Sequence, residues 1–511
     1  MDSPFRQHLH TNYAPSEDEI PSIRAYLVPH RDELANLETL IRELCAQRDT
    51  LKEHVDAHEA LISPARRLPQ DIIQEIFLAC IPTHRNAVMS THEAPLLLGH
   101  ICSGWRSIAL STPMLWNSLH INLTFVLSSD ERVSAVEEWL RRASTCLLSL
   151  SVWQAEWRDT HASDSPLLTH LMRLLVVSAS QWRDIELHHV PYSYLDMLAG
   201  VAAPLLEGVR IKSDYIIYPL ATMLESPALR RVALLHPDLG DFTQRLGLPW
   251  EFLTDLSLVN EDVEVRVAPS SLTFSLIRQC PRLLSLRFQM GRTGDGPPLT
   301  GEPVHLPALE WLSIQTPFLA DTPALHIILR HLRMPELRKL ELPTTLLQDS
   351  DAVFLSPLRT SPKVENLQVH LASFTLVSLM ATFKLFPGLR ELQIYDLRPE
   401  WEWPEPETLQ YLTAESLLPL LRDLCPGLQD IDIVDTEIPE ACVVAFAEKQ
   451  APASLRSLHV QFDRFRDASL AVHEQDLQPF VERGLKISLQ YLHGGREPTA
   501  WEGLLIEQMG R

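Results

Sequence analysis

The chain has 511 residues, 45% of them hydrophobic and 22% charged, with a net charge of −22. That length is enough for about three ordinary domains, and the acidic balance opposes phosphate backbones and anionic bilayers, so neither nucleic acid nor a membrane is expected as a partner. Glycine, 17 residues or about 3% against a usual ~7%, is too scarce for a fold of tight hairpins or glycine-built phosphate loops.

The first residues, MDSPFRQHLHTNYAPSEDEIP, lack an apolar signal core and are polar, so residues 1–29 are expected as a flexible tail. No run of 18 apolar residues exists. The cysteines Cys45, Cys80, Cys102, Cys146, Cys280, Cys425 and Cys442 are scattered, with no C-x-x-C and no Cys/His knuckle. This is the usage of a reducing compartment, cytoplasmic or nuclear, and gives no structural zinc site.

Residues 30–63 carry a heptad pattern. Leu34, Ile41, Val55 and Ile62 fall on one series, interrupted by Arg48; Leu37, Leu44 and Leu51 fall on the other, followed by His58. A narrow apolar seam on a helix of about thirty residues fits a weak coiled-coil homodimer, a helix packed on the next domain, or a short intramolecular hairpin.

Residues 64–120 read as three short helices. In LPQDIIQEIF (68–77), Pro69 suits the first helical turn and Asp71 its positive end. Ile72 and Ile76 share one face; Ile73, Phe77 and Cys80 share the adjoining one. A polar loop, THRNAVMSTHE, precedes a second helix starting near Pro95, with Leu97, Ile101, Trp105 and Ile108 on one side. Pro113 opens a last turn, PMLW.

From there the chain repeats. PLLEGVRI (204–211), PALRRVAL (227–234), PRLLSLRF (281–288), PALEWLSI (307–314), PELRKLEL (335–342), PKVENLQV (362–369), PGLRELQI (387–394) and PGLQDIDI (426–433) share P-x-L-x-x-L-x-L; WEFLTDLSL (250–258) and PASLRSLHV (452–460) are near-copies. The first leucine-type positions are 206, 229, 253, 283, 309, 337, 364, 389, 428 and 455. A repeat of 20–30 residues with this pattern is the leucine-rich-repeat signature. Alternation in L-x-L turns one strand face inward, and helical periodicity follows, as in Leu376, Leu379, Met380 and Phe383. One strand and one helix cannot bury their own apolar face, so the units must stack. The fold expected is α/β: an N-terminal helix, three short helices, an irregular solenoid of parallel strands and helices over 121–470, and a cap over 471–511. WEWPEPE in the long 389–428 interval is expected to protrude.

The segment 68–116 resembles an F-box, through Leu68-Pro69, the core of Ile72, Ile73, Ile76 and Phe77, then Leu98, Ile101-Cys102, Trp105-Arg106 and Leu115-Trp116. The order of heptad helix, F-box and leucine-rich repeats is similar to the large F-box families of mushroom-forming fungi. It departs in a longer 83–94 loop without an Asp-Leu step, and in repeats lacking the plant and animal Asn. The resemblance implies a non-enzymatic substrate receptor. Its F-box docks a Skp-family adaptor and through it a cullin–RING ubiquitin ligase, while the repeats capture a protein substrate. The alternative is a scaffold outside any ligase, with the F-box-like helices capping the solenoid and the heptad helix self-associating.

The substrate surface would be the outward positions beside the L-x-L strands: Arg210, Arg231, Ser257, Arg287, Trp311, Lys339, Glu341, Asn366, Gln368, Glu391, Gln393, Asp430, Asp432 and His459. Bases fall in early repeats and acids in late ones, so a bipolar surface is expected, with Trp311 as an anchor. No nucleophile, base or metal constellation is legible. His188-His189 lacks a third ligand, DIDIVD lacks the glycine and terminal Glu of a calcium loop, and GRTGDGPP lacks a phosphate-binding Lys-Ser/Thr. No cofactor, metal or catalytic activity is expected.

Overall fold

The computed structural model describes residues 3–154, 165–213, 220–235, 247–259, 270–289, 302–315, 329–342, 358, 361, 363–371, 374–396, 412–449, 451–465 and 474–492. The sequences GRTGDGPP, WEWPEPE and 493–511 lie outside these residues. The chain divides into two compact units, Met1–Ile76 and Phe77–Arg511.

The first unit is dominated by helix α1 (Glu19–Ile62). It begins earlier than the expected residue 30 and runs through Pro29, which removes one N–H from the helix without ending it. The preceding segment is not a bare tail. Phe5 meets Tyr26 edge-on at 6.2 Å, and the Tyr13 hydroxyl donates to Glu19 at 2.8 Å. Helix α2 (Gln70–Ala79) follows, and the division between the units falls inside it.

In the second unit come α3 (Leu98–Ile101), α4 (Ser103–Leu110) and a 3-10 turn, Pro113–Trp116. The expected second helix is thus two helices, broken where Cys102 turns extended; its Sγ then accepts from the Trp105 N–H at 3.4 Å as an N-cap.

The main sheet then starts. Its early strands are β1 (Ser118–Asn122), β2 (Leu148–Trp153), β3 (Trp182–His188), β4 (Gly208–Lys212), β5 (Arg231–Leu235), β6 (Asp255–Val259) and β7 (Ser285–Gln289). A short β8 (Val304–His305) pairs aside with β10 (Leu332–Arg333), flanking β9 (Trp311–Gln315). The series ends with β11 (Lys339–Glu341), β12 (Asn366–His370), β13 (Glu391–Tyr395), β14 (Asp430–Thr436), β15 (Ser457–Phe465) and β16 (Lys486–Leu492). Among the described residues, apart from β8 and β10, these form one open sheet of 14 strands, in chain order and with every neighbouring pair parallel.

Each of the ten repeat leucine-type positions stands two residues before a strand: 206 before β4, 229 before β5, and so on to 455 before β15. The sheet also extends past the expected borders. β1 starts inside the 64–120 block and β16 lies in the expected cap. These strands lack the proline-leucine opening but keep the alternation.

Register aligns one aliphatic residue from every strand: Leu119, Leu150, Ile185, Val209, Val232, Leu256, Leu286, Leu312, Leu340, Leu367, Leu392, Ile431, Leu458 and Ile487. All but Ile487, on the edge strand, are buried. Helices following the strands bury their own stripes, such as Leu168, Leu171, Met172 and Leu175 in the helix Pro166–Val177. Just before the strands runs a second ladder. The N–H of Arg230 donates to Glu207 O, that of Thr254 to Arg230 O, Leu284 to Thr254 O and Glu310 to Leu284 O, each at 2.7–2.8 Å, and the series continues to Lys486.

Burial at the ladder's middle sets a graded prediction. Leu312→Ala, at a fully buried position, lowers the unfolding free energy of this unit by about 2–5 kcal/mol. Ile487→Ala, at the half-buried edge, costs under about 1.5 kcal/mol. Urea titration of the two variants beside the wild type checks the difference.

Candidate functional site

Two groups of expected site residues are placed by the fold. The first is the helical block. α2 is two-faced: Ile73 and Phe77 are buried, whereas Ile72 and Ile76 are 44% and 39% exposed. Phe77 meets the half-buried Trp105 edge-on at 5.0 Å. Leu98, Leu115 and Trp116 are also core. Trp116 donates from its indole to Ala109 O at 2.9 Å, and its ring meets Trp139 edge-on at 4.8 Å. Leu68 is half-buried, Pro69 and Cys102 are exposed, and Ile101 is 55% exposed. The sequence reading missed that Leu97, Leu110 and Met114 are outward as well.

The long 83–94 loop has a structural role. Val88 bridges to His120 on the free edge of β1, and the His120 N–H donates to Ala87 O at 2.7 Å. Arg85 and Glu93 pair at 2.6 Å with side chains 6% and 17% exposed, and Glu93 also accepts from the Val88 N–H. Asn86 donates to Ser151 on the next strand. The loop therefore covers an edge whose backbone groups would otherwise be open to another strand.

The second group is the polar face of the sheet. Register brings the expected residues into two rows. Arg231, Trp311, Lys339, Asn366, Glu391 and Asp430 share one; Arg210, Ser257, Arg287, Glu341, Gln368, Gln393, Asp432 and His459 share the other. The expectation of a basic early half is corrected. Arg231 on β5 pairs across β4 with Asp184 at 2.6 Å, and Arg210 on β4 lies 3.8 Å from Glu186; both acids are on the early strand β3 and not among the expected residues. Asp184 also accepts from Arg183 and Ser149. Gly208 makes this possible, since a Cβ there would collide with Asp184 Oδ1. In the later half, Asn366 donates to Glu391 and Gln393 donates to Asp432.

Gly208, Ala233 and Ser257 form the low floor of a cavity of about 200 Å³, walled by Arg210, Arg287 and Trp311. Trp311 is half-buried, with Lys339 Nζ 4.5 Å over its ring and no hydrogen-bond partner for its buried indole N–H among the described residues. It is part of the sheet face, not a projecting ring. Glu341 is buried and held by Lys339 at 3.0 Å.

Burial pushes His188 down to about 3, helped by Arg210 and Lys212, and pushes His370, stacked on Tyr395, down to about 4. Burial also raises the Glu186 carboxyl above its ordinary range, against the pull of Arg210. His189 leaves the strand in a left-handed conformation, φ 53°. Among the described residues no three His, Cys, Asp or Glu side chains are grouped to hold a metal ion, and no helix is long and apolar enough to cross a membrane. No family model matches the chain, and no curated protein is significantly similar to it.

The neutral histidines give a pH dependence with a definite sign. Unfolded histidine titrates near 6.5, so as pH falls below that value the unfolded chain takes up protons that the folded one refuses until about 3 and 4. Stability is complete above about pH 6.5 and declines as pH falls through that window. The raised Glu186 acts with the opposite sign. Between pH 7 and 5, His188→Gln with His370→Gln removes roughly 1–2 kcal/mol of the acid-induced loss per histidine, read from urea midpoints at the two pH values.

Proposed function

We propose that this protein is a non-enzymatic substrate receptor of a Skp–cullin–F-box ubiquitin ligase. In this reading the helical block docks a Skp-family adaptor, and a leucine-rich-repeat solenoid presents the polar sheet face to a protein substrate. The supporting observation is that the part of the block in the second unit leaves Leu97, Ile101, Leu110 and Met114 each 42–55% exposed. Covering one such side chain contributes up to about 1.5–3 kcal/mol, so a few of them suffice for a specific helix-in-groove contact. The resemblance of 68–116 to an F-box names the partner.

The mechanism is proximity. A substrate held on the polar face has its lysines kept near the ubiquitin-transfer machinery, which raises their effective concentration without any catalytic group in this chain. The bond from Trp116 to Ala109, the Trp116–Trp139 contact and the 83–94 segment tie α4 to the first layers of the sheet. Adaptor and substrate would then be held by one rigid unit.

A second reading is favoured by one of these same observations. The 83–94 segment covers the β1 edge, which is what the terminal cap of a stacked-repeat protein does. In that case the protein is a scaffold outside any ligase.

Co-expression with a fungal Skp-family adaptor, followed by size-exclusion chromatography, separates the two. The receptor reading expects co-elution that Ile101→Asp with Met114→Asp weakens by at least about 100-fold, while Trp311→Ala leaves it unchanged. Both aspartates replace exposed side chains, so the unfolding midpoint stays within about 1 kcal/mol of wild type. A wild-type chain that elutes without the adaptor establishes the scaffold instead.

A further inference from the structure

The seam of α1 is solvent-exposed along its length. Leu34, Leu37, Ile41, Leu44, Leu51 and Val55 are between 45% and 64% exposed, although the heptad spacing sets them on one stripe. A stripe of this kind has to be covered, and its polar members say by what.

Number the heptad so that Leu34 is at position a and Leu37 at d. Arg48 is then an a residue and His58 a d residue, while Glu33, at g, and Glu38 and Lys52, both at e, flank the seam. A parallel, in-register pair of these helices would set Arg48 against the partner's Arg48 inside a core layer. It would set His58 against the partner's His58, and Glu33 beside the partner's Glu38. All three juxtapositions are unfavourable or open to repulsion.

We propose that α1 pairs with a second copy of this chain in antiparallel orientation, about a two-fold axis at the level of Ala46. The layers become Leu37 with the partner's Val55, Ile41 with the partner's Leu51, Leu34 with the partner's His58, and Leu44 with the partner's Arg48. The Arg48 stem packs on leucine while its guanidinium reaches solvent. Positions e now face each other, so Glu38 meets the partner's Lys52, twice by symmetry, and Cys45 lies opposite the partner's Cys45 beside the axis. Two seams of this length cover on the order of 1,200 Å², the lower end of a specific interface. The pairing does not depend on the receptor reading and would hold equally for a scaffold.

The orientation reverses the sign of one mutation. In the antiparallel pair Glu38→Lys puts like charges together twice and raises the dimer Kd about five- to tenfold; Glu38→Lys with Lys52→Glu restores it. In a parallel pair Glu38→Lys would relieve the clash with Glu33 and tighten the dimer. Both positions are exposed, and circular dichroism checks that the helix persists. Sedimentation velocity of the full chain from about 1 to 100 µM, bracketing the micromolar affinity of a small interface, reads the effect. A short bis-maleimide joins the half-buried Cys45 to the partner's Cys45 in the wild type and fails in Cys45→Ser, with the linked peptides mapped because Cys80 and Cys102 are exposed. A monomer throughout that range, or a dimer that Glu38→Lys tightens, overturns the proposal.

Discussion

Everything in the second unit depends on one register held across 14 parallel strands. A parallel pair can keep its side chains aligned only if each crossover returns the chain to the same height. Two ladders enforce this together. The aliphatic ladder from Leu119 to Ile487 penalises a slip of one residue, because it would turn polar side chains into the core. The carbonyl ladder before the strands, through Glu207, Arg230, Thr254 and Leu284, sets the entry point of each strand to the same carbonyl of the previous turn. Arg338, Glu365 and Arg390 ride on that ladder with alternating charge, at 4.0 and 3.9 Å, and contribute little each at this exposure.

This is also why the repeats were legible in the sequence. The proline closes the preceding helix, the leucine two residues before the strand is buried at or near zero exposure from 206 to 428, and the L-x-L alternation marks the inward face. Where the opening is missing, as in SLHIN or KISLQYL, two or three alternating residues alone do not differ from a loop, and β1, β2, β3 and β16 carry no repeat signature. The helix faces of α2 were legible for the same reason of period. Ile73 and Phe77 differ from Ile72 and Ile76 by one position, and their burial separates accordingly. Pairing across strands was not legible. Asp184 and Glu186 lie one strand before the first recognised repeat, so nothing in the local pattern matched them to Arg231 and Arg210.

The two ends of the sheet are managed differently. At β1 a loop with a buried Arg85–Glu93 pair takes up the edge, and that pair is oriented by the Val88 N–H as well as by itself. Breaking such a pair strands a buried charge, so the loop is not a tolerant insertion even though it is polar in composition. At the other end β16 keeps Ile487 and Leu489 half-buried and alternates them with exposed Lys486, Ser488 and Gln490. A lysine and polar residues on an edge strand discourage further strand addition. Among the described residues, α3 and α4 therefore belong to the end whose edge is covered, and its geometry would have to be kept if they are to present Leu97, Ile101 and Met114 to a partner.

The polar face is neutralised locally in a chain whose net charge is −22. Arg231 is shared between Asp184 and Glu207, Arg210 faces Glu186, and Lys339 is divided between Glu341 and the Trp311 ring. A face built this way exerts little long-range attraction on a charged partner. In the proposed receptor reading, recognition on the face would have to come at short range, by exchange of partners. Arg210 and Arg231 are about half exposed, and pairs at such exposure are worth at most about 1 kcal/mol. An incoming carboxylate or carbonyl can replace an internal partner at small cost, whereas the buried Glu341 cannot be left unpaired so cheaply. The floor of Gly208, Ala233 and Ser257 leaves room for such an exchange, and in the proposed reading selectivity would reside in the fit between Arg210, Arg287 and Trp311 rather than in the sign of the charge.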